Sequence, residues 1–451
     1  MLTQTDISNL THQILRRCAN DLAEVIVIAE DKALTRFANN AIHQNVAESN
    51  LSLYLRLYLG KRPGQASTNR TDPAALDELV ALARTNAGSS PENPDHPGLA
   101  EPVAIRPVAC FDQDTAVYAP GERADRVGDV CRLAQEKGLN ASGAFATGQN
   151  QVAVANSRGL FAFHAWTEAD FQTVVMAEDA SGRAQASAWR ATDLNPEALG
   201  REAIAKAEAG RNPRAIEPGE YTVVVDPYVT EDLLHMLNLN GMGGQAVLDG
   251  RSWMNTRLGV QAMSPSVNIW DDGLDVRGLP LPFDFEGVPK RRVDIVSAGV
   301  IKGPVYDRVT AVKAGEASTG HALPPNLPAY MRGVGPTALN LFMAPGSASL
   351  EEMIASTQRG LYITRFWYTR LVHPSDCVVT GMTRDGVSLI EGGEIAYPVK
   401  NLRFTQSYVE ALAGVEMVGR ETRLLKTEYG SRALCVPGLK LGSFNFTGVT
   451  V

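Results

Sequence analysis

Three short stretches carry residue types that could do chemistry. His235 lies on an apolar, helix-patterned run, YVTEDLLHMLNLN, that enters the glycine-rich bend GMGGQA (Gly241 to Ala246). An imidazole can move protons or bind a metal; its plainer reading is an ordinary helix-face or core histidine. FDFEG (Phe283 to Gly287) sets Asp284 and Glu286 two apart, on one face if the chain is extended. Ser318-Thr319-Gly320-His321 joins polar side chains to a flexible backbone, which suits either a plain loop or strand addition by an extended peptide. Other patterns fail on context. GMGGQA satisfies GxGxxA but follows a helix, where a dinucleotide fingerprint must follow a strand. Asp271-Asp272-Gly273 reads as a turn between strands. No GxSxG occurs, and Ser347 in PGSAS reads as part of the loop leading to a helix at Ser349.

The composition sets outer bounds. The chain has 451 residues, 44% hydrophobic and 20% charged, with a formal net charge of −8. That is ordinary globular chemistry, able to bury a large core. No long Lys/Arg run is present, so direct nucleic-acid contact is not expected. The cysteines, Cys18, Cys110, Cys131, Cys377 and Cys435, are odd in number and scattered, with no CxxC pair. This fits reduced thiols in a cytosol. Met1 to Cys18 puts Arg16 and Arg17 after its apolar positions, the reverse of a signal peptide. No apolar run approaches the ~20 residues that span a bilayer. The expectation is a soluble, cytoplasmic protein.

The elements that must hold these residues follow from periodicity. Ile7, Leu10, Ile14, Leu15 and Leu22 give an opening amphipathic helix. VIVIAE, the alternation around Asn39-Asn40 and the leucines of LSLYLRLYL predict antiparallel strands from Glu24 to Leu59. Gly60 to Thr71 reads as turn chemistry, and Asp72-Pro73 starts a helix. Asn86 to Pro107 reads as a polar surface loop. A second helix is predicted over Asp125 to Lys137, a strand pair over Ala141 to Trp166, and a third helix from Asn195-Pro196 to about Ala209. Strands and turns dominate after EPGEYTVVVDP, with one clear later helix at Ser349 to Arg359. The predicted class is α+β. An N-terminal α/β domain of antiparallel sheet and helices (1–215) precedes a mostly antiparallel β domain, barrel-like or stacked (216–451).

The ordered segments TRFANNAIHQN, ANSRGLFAFHAWTEADF, FDFEGVPKRR, VYDRVTAVKAGEASTGHA, PGSASLEEMI, RGLYITRFWYTR and VPGLKLGSFNFTG resemble those of the TldD/PmbA (TldD/TldE) metallopeptidase family over nearly the whole chain. The resemblance implies subunits that pair around a central cleft. It also implies, in TldD-type members, a HExxxH helix and a C-terminal cysteine that hold zinc. Such a zinc lowers the pKa of its water towards ~7 and polarises the scissile carbonyl, with the Glu as general base.

Here the motif falls on HMLNLN. His235 matches the first ligand, Met236 replaces the base and Asn240 replaces the second histidine. Neither a thioether nor an amide does that work. Cys435 in ALCVPG is either a relic of the thiolate or a buried strand cysteine. The expectation is therefore a chain like the TldE/PmbA branch. It would hold no metal itself and pair with a zinc-bearing TldD-type subunit, shaping a cleft for peptides or unfolded segments. Asp284, Glu286, Ser318, Thr319 and His321 match family segments and are candidates to line that cleft. The alternatives are an autonomous peptidase with an altered site, perhaps using His235 and Cys435, and a homodimeric peptide-binding scaffold.

Overall fold

The period-two alternation of residues 22–59 folds into an antiparallel hairpin, β1 (Leu22–Ala38) and β2 (Ala41–Leu59). Asn39 and Asn40 make the turn at φ +53° and +57°. A two-residue type I′ turn needs positive φ at both positions, and asparagine tolerates it better than most side chains. The structure is a computed structural model that describes residues 1–327, 331, 333–427 and 433–449. β3 (Arg62–Thr68), β4 (Asn140–Asn156), β5 (Phe161–Met176) and β6 (Ser181–Ala188) complete a six-stranded antiparallel sheet in the order β3-β2-β1-β4-β5-β6.

Helices cover one face of this sheet. α1 (Gln4–Arg17) and α2 (Pro73–Ser89) bury Ile7, Ile14, Leu76 and Val80 against Val25, Val27, Leu53 and Leu55. α3 (Gln113–Ala116) is a single turn. α4 (Pro120–Glu136) and α5 (Pro196–Ala209) bury Val127, Val130, Leu199 and Ile204 against Phe37, Phe145 and Phe171. The opposite face carries Ile26, Val152, Val154 and Trp166, which meet Leu281, Phe283 and Phe285 from the second half of the chain. Because side chains alternate across a strand, neighbouring residues such as Val25 and Ile26 serve two different cores.

The second sheet has eleven strands. They are β7 (Gly219–Val225), β8 (Ile269–Asp271), β9 (Val293–Ser297), β10 (Val300–Ile301), β11 (Leu341–Met343), β12 (Arg359–His373), β13 (Val378–Glu391), β14 (Glu394–Pro398), β15 (Leu402–Ser407), β16 (Val415–Lys426) and β17 (Ala433–Val449). β7 pairs with both β12 and β17, so β7-β12-β13-β15-β17 closes into a five-stranded ring. The rings of Phe366, Phe404 and Phe444 meet in its core at centroid distances of 4.3–5.2 Å. Most pairings are antiparallel; β7–β12 and β11–β17 are parallel. The helices are α6 (Pro227–Leu237), α7 (Gly244–Leu248), α8 (Arg308–Ala314), α9 (Leu350–Ala355) and α10 (Tyr408–Ala413).

Several local expectations change. Gly60–Thr71 is not merely a turn: it contains β3, an edge strand, where Pro63 is tolerated. Gly64 lets α2 approach, since a Cβ there would sit 2.1 Å from the Ala83 carbonyl oxygen. α2 runs on to Ser89, and the loop beyond it buries Leu99, Ala100 and Cys110. α4 starts at Pro120, where the Glu122 carboxylate accepts the Ala119 N–H at 3.0 Å. The helix expected over Ser349–Arg359 ends at Ala355, and Arg359 already begins β12. α8 and α10 have too few residues to show a helical period.

Candidate functional site

α6 opens at Pro227, a residue whose missing N–H costs nothing in the first turn. One face then carries Tyr228, Asp232, His235 and Leu239, spaced at helical intervals. This face, with Glu231, Met236 and Asn240, forms one wall of a cavity of about 450 Å³. Arg365 to Leu371 of β12 form the other wall, and Arg183, Gln185, Leu425 and Lys426 also line it. Asp232 ties the walls together: it accepts hydrogen bonds from the Thr369 hydroxyl (2.8 Å) and the Tyr408 hydroxyl (2.6 Å).

The helix does not pass directly into the glycine-rich bend. It continues into one π-helical turn, Asn238–Met242. Asn240 donates its amide to the Met236 carbonyl at 2.7 Å, and the Trp253 indole donates to the Leu237 carbonyl at 2.9 Å. The glycines that follow serve close approach. A Cβ on Gly241 would lie 2.2 Å from the Trp253 ring, and one on Gly243 would lie 2.0 Å from the Pro336 carbonyl oxygen.

The His235 imidazole makes no hydrogen bond to any described residue, and burial pushes it down to about 4. It is therefore neutral at pH 7. An unfolded chain would protonate it near 6.5. Proton uptake on unfolding makes stability rise with pH between about 4 and 6.5. His235→Gln should flatten this slope in chemical-denaturation series across that range, an effect on the order of 3 kcal/mol at its full extent.

The residues at this wall do not fit a zinc ion. Met236 offers a thioether, and the Asn240 amide is committed to a backbone carbonyl. No group of three His, Cys, Asp or Glu side chains able to hold a metal occurs among the described residues. Cys435 does not line the cavity: it packs with Trp270 and Phe342, and burial pushes its thiol up.

Residues 218–448 match the family model described as the PmbA/TldA metallopeptidase C-terminal domain. Residues 111–211 match the central domain and residues 23–87 match domain 1 of the same series. The chain belongs to the PmbA/TldD metallopeptidase family. It is 24% identical to the metalloprotease PmbA of Escherichia coli O157:H7 over 388 residues, 82% of this chain and 81% of that one. It is 27% identical to the metalloprotease TldD homolog of Haemophilus influenzae over 233 residues. That match takes in 51% of this chain and 47% of the homolog, so the chain spans about half the length of TldD-type relatives of this kind. Its fold is that of TldE from Thermococcus kodakarensis, with a TM-score of 0.89 at 19% identity, over 97% of this chain and 100% of that one.

The other family-matched residues lie away from this cavity. Asp284 is buried in a turn, where its carboxylate accepts the N–H groups of Glu286, Val288 and Ala322, each at 2.9 Å. Glu286 accepts the Arg308 N–H at 3.2 Å. Burial holds both carboxyls above the usual carboxylate range. The pair is thus not extended: it sits in a turn whose Asp284 carboxylate folds back on its own backbone. Ser318 lines a separate hollow of about 200 Å³ with Arg308 and Val288. Thr319 and His321 are buried.

His321 belongs to a cluster that sequence reasoning missed. Asp271 ends β8 fully buried, whereas a simple turn was expected there. Its carboxylate meets His321 Nε2 (2.9 Å), Lys290 Nζ (3.5 Å) and the Asn340 N–H (2.6 Å). Despite burial, Lys290 and His321 hold Asp271 well below the usual carboxylate range. The Thr319 hydroxyl lies 2.9 Å from His321 Nδ1 and also accepts the Tyr306 N–H at 2.7 Å. Thr-His-Asp has the outline of a hydrolase triad, but all three are buried and the hydroxyl is already engaged by the backbone. The arrangement is a structural tie. No spacing in the sequence marks it, because its members come from four distant segments.

A second charged cluster braces the cavity from behind. Lys206 of α5 bonds Asp226 (2.7 Å) and Glu202 (2.8 Å), Tyr362 of β12 donates to Asp226 (2.8 Å), and Arg423 of β16 bonds Glu202 (2.9 Å). These contacts join the helical layer of the first sheet to the start of α6.

Proposed function

We propose that this chain is a TldE-like, non-catalytic subunit that shapes the peptide cleft of a zinc-bearing TldD-type partner. The observation that carries this reading is the α6 wall. It has the family's motif position and faces a cavity, but it presents His235, Met236 and Asn240 where a hydrolase needs two imidazoles and a carboxylate. The cavity is of a size and composition suited to side chains of an extended peptide. Residues 1–215 and 216–451 would act as two domains held together by the Lys206 cluster and the Phe283 contacts. The setting is the cytoplasm, consistent with five buried cysteines, none in a disulfide among the described residues.

The test combines elemental analysis with peptide digestion. The purified chain should hold no stoichiometric zinc and cleave no peptide. Adding a TldD-type subunit should bring chelator-sensitive cleavage, faster than that subunit achieves alone. Bound zinc with autonomous cleavage would favour an altered-site peptidase and sink the proposal. Peptide binding without any gain on mixing would leave a homodimeric scaffold.

A further inference from the structure

Among the described residues, four cations line the cavity between α6 and β12, and two of them have carboxylate partners. Arg365 pairs with Asp385 at 3.3 Å and Lys426 with Glu168 at 3.5 Å. Arg183 donates to the neutral side chains of Gln172 (3.3 Å) and Gln185 (2.8 Å). Arg370 donates to the Thr369 carbonyl (2.8 Å) and lies over the Tyr368 ring at 4.4 Å. Neither guanidinium meets a carboxylate among the described residues. Of the cavity's own acids, Glu231 and Asp232 stand on α6, and Asp232 is engaged by two hydroxyls. A guanidinium fork in a partly enclosed site matches a carboxylate in shape and charge.

The wall that presents Arg370 is distorted in a specific way. β12 and β13 pair at Trp367–Met382 and again at Arg370–Thr380, so Tyr368 and Thr369 together oppose Gly381. Such a bulge re-aims side chains. Tyr368 sits at φ +56°, a region that disfavours a bulky side chain, and is 59% exposed. Gly381 makes room for the distortion: a Cβ there would lie 2.9 Å from the Thr369 methyl and 2.8 Å from the Phe404 ring. Backbone strain kept at a cavity wall points to a binding role.

We propose that this cavity is a subsite for a carboxylate of the bound peptide, either its C-terminus or an acidic side chain, held by Arg183 and Arg370. The inference rests on the reading of this cleft as a peptide cleft. Neutral His235 adds no charge there and leaves a ring nitrogen for the ligand's backbone.

The test is isothermal titration of the full chain with one apolar peptide sequence in three forms: free acid, C-terminal amide, and amide with one internal glutamate. At least one carboxylate form should bind about 10-fold tighter than the neutral amide, the scale of a charged hydrogen bond. Free acid against glutamate amide tells which source is read. The advantage should shrink with salt, collapse in R183Q/R370Q and return in part in R183K/R370K, with thermal melts showing that each variant folds. Equal binding of all forms, or an advantage that survives in R183Q/R370Q, overturns the carboxylate proposal and leaves the peptide cleft standing. Failure of every form to bind overturns both.

Discussion

Asp271→Ala should destabilise the fold by about 3–5 kcal/mol, the scale of breaking a buried ion pair from one side. Lys290 and Asp271 have fully buried side chains, and removing the acid takes a buried carboxylate away from the buried ammonium. His321 would lose the acceptor of its Nε2 hydrogen bond and the Asn340 N–H its partner at 2.6 Å. Urea titration followed by fluorescence reads the loss. Replacing Asp271 and Lys290 together by leucine and methionine should lose much less than Asp271→Ala, since both members of the buried pair are removed at once. Equal losses in the two variants would show that packing, not charge, holds this region. The sign of the pH dependence follows from the lowered carboxyl of Asp271. Its contribution is present above the unfolded value near 4 and is lost as pH falls below it.

Trp253→Ala should lose a further large amount, about 3–5 kcal/mol, as expected for emptying a core aromatic site. Trp253 is fully buried, its ring lies against Gly241 and its indole satisfies the Leu237 carbonyl where the π-helical turn begins. The alanine leaves a void and takes the indole donor away from the Leu237 carbonyl, two residues beyond His235. Trp253→Phe keeps most of the volume and should lose about 1 kcal/mol, the hydrogen bond alone. Thermal melts separate the two. Peptide affinity should fall with the alanine and hold with the phenylalanine, because the ring keeps the turn in place. A phenylalanine variant as unstable as the alanine one would mean that the indole bond, and not the ring, sets the turn.

The first sheet was legible because its signals are local. The leucines of LSLYLRLYL mark a buried face, Asn39-Asn40 a turn, and Asp72-Pro73 a helix start. α6 was legible for the same reason, as a helix-period run. The wall opposite was not. RFWYTR interleaves aromatics and arginines, but a one-residue shift of register at the bulge decides where Tyr368 and Arg370 sit. Register depends on partners in β13 that no local pattern names. The Asp271 cluster was hidden more deeply. A buried aspartate and a turn aspartate look alike in sequence until Lys290, His321 and Asn340 are brought beside the first. Arg183 lies on β6, far in sequence from either cavity wall, and only the tertiary fold makes it a cavity residue.

The closed ring described for the second sheet also dictates the order in which the molecule can be finished. β7 pairs residue 225 with residue 439 of β17, and β17 also pairs with β11, β15 and β16. During synthesis, β7 and β12 emerge well before the strand that closes on them. Until β17 arrives, their inner faces and the α6 wall they support remain open to water and to other chains. Contacts this distant in sequence make closure slow. The interval before closure is therefore when a nascent chain is most exposed to chaperones, to proteases and to premature association.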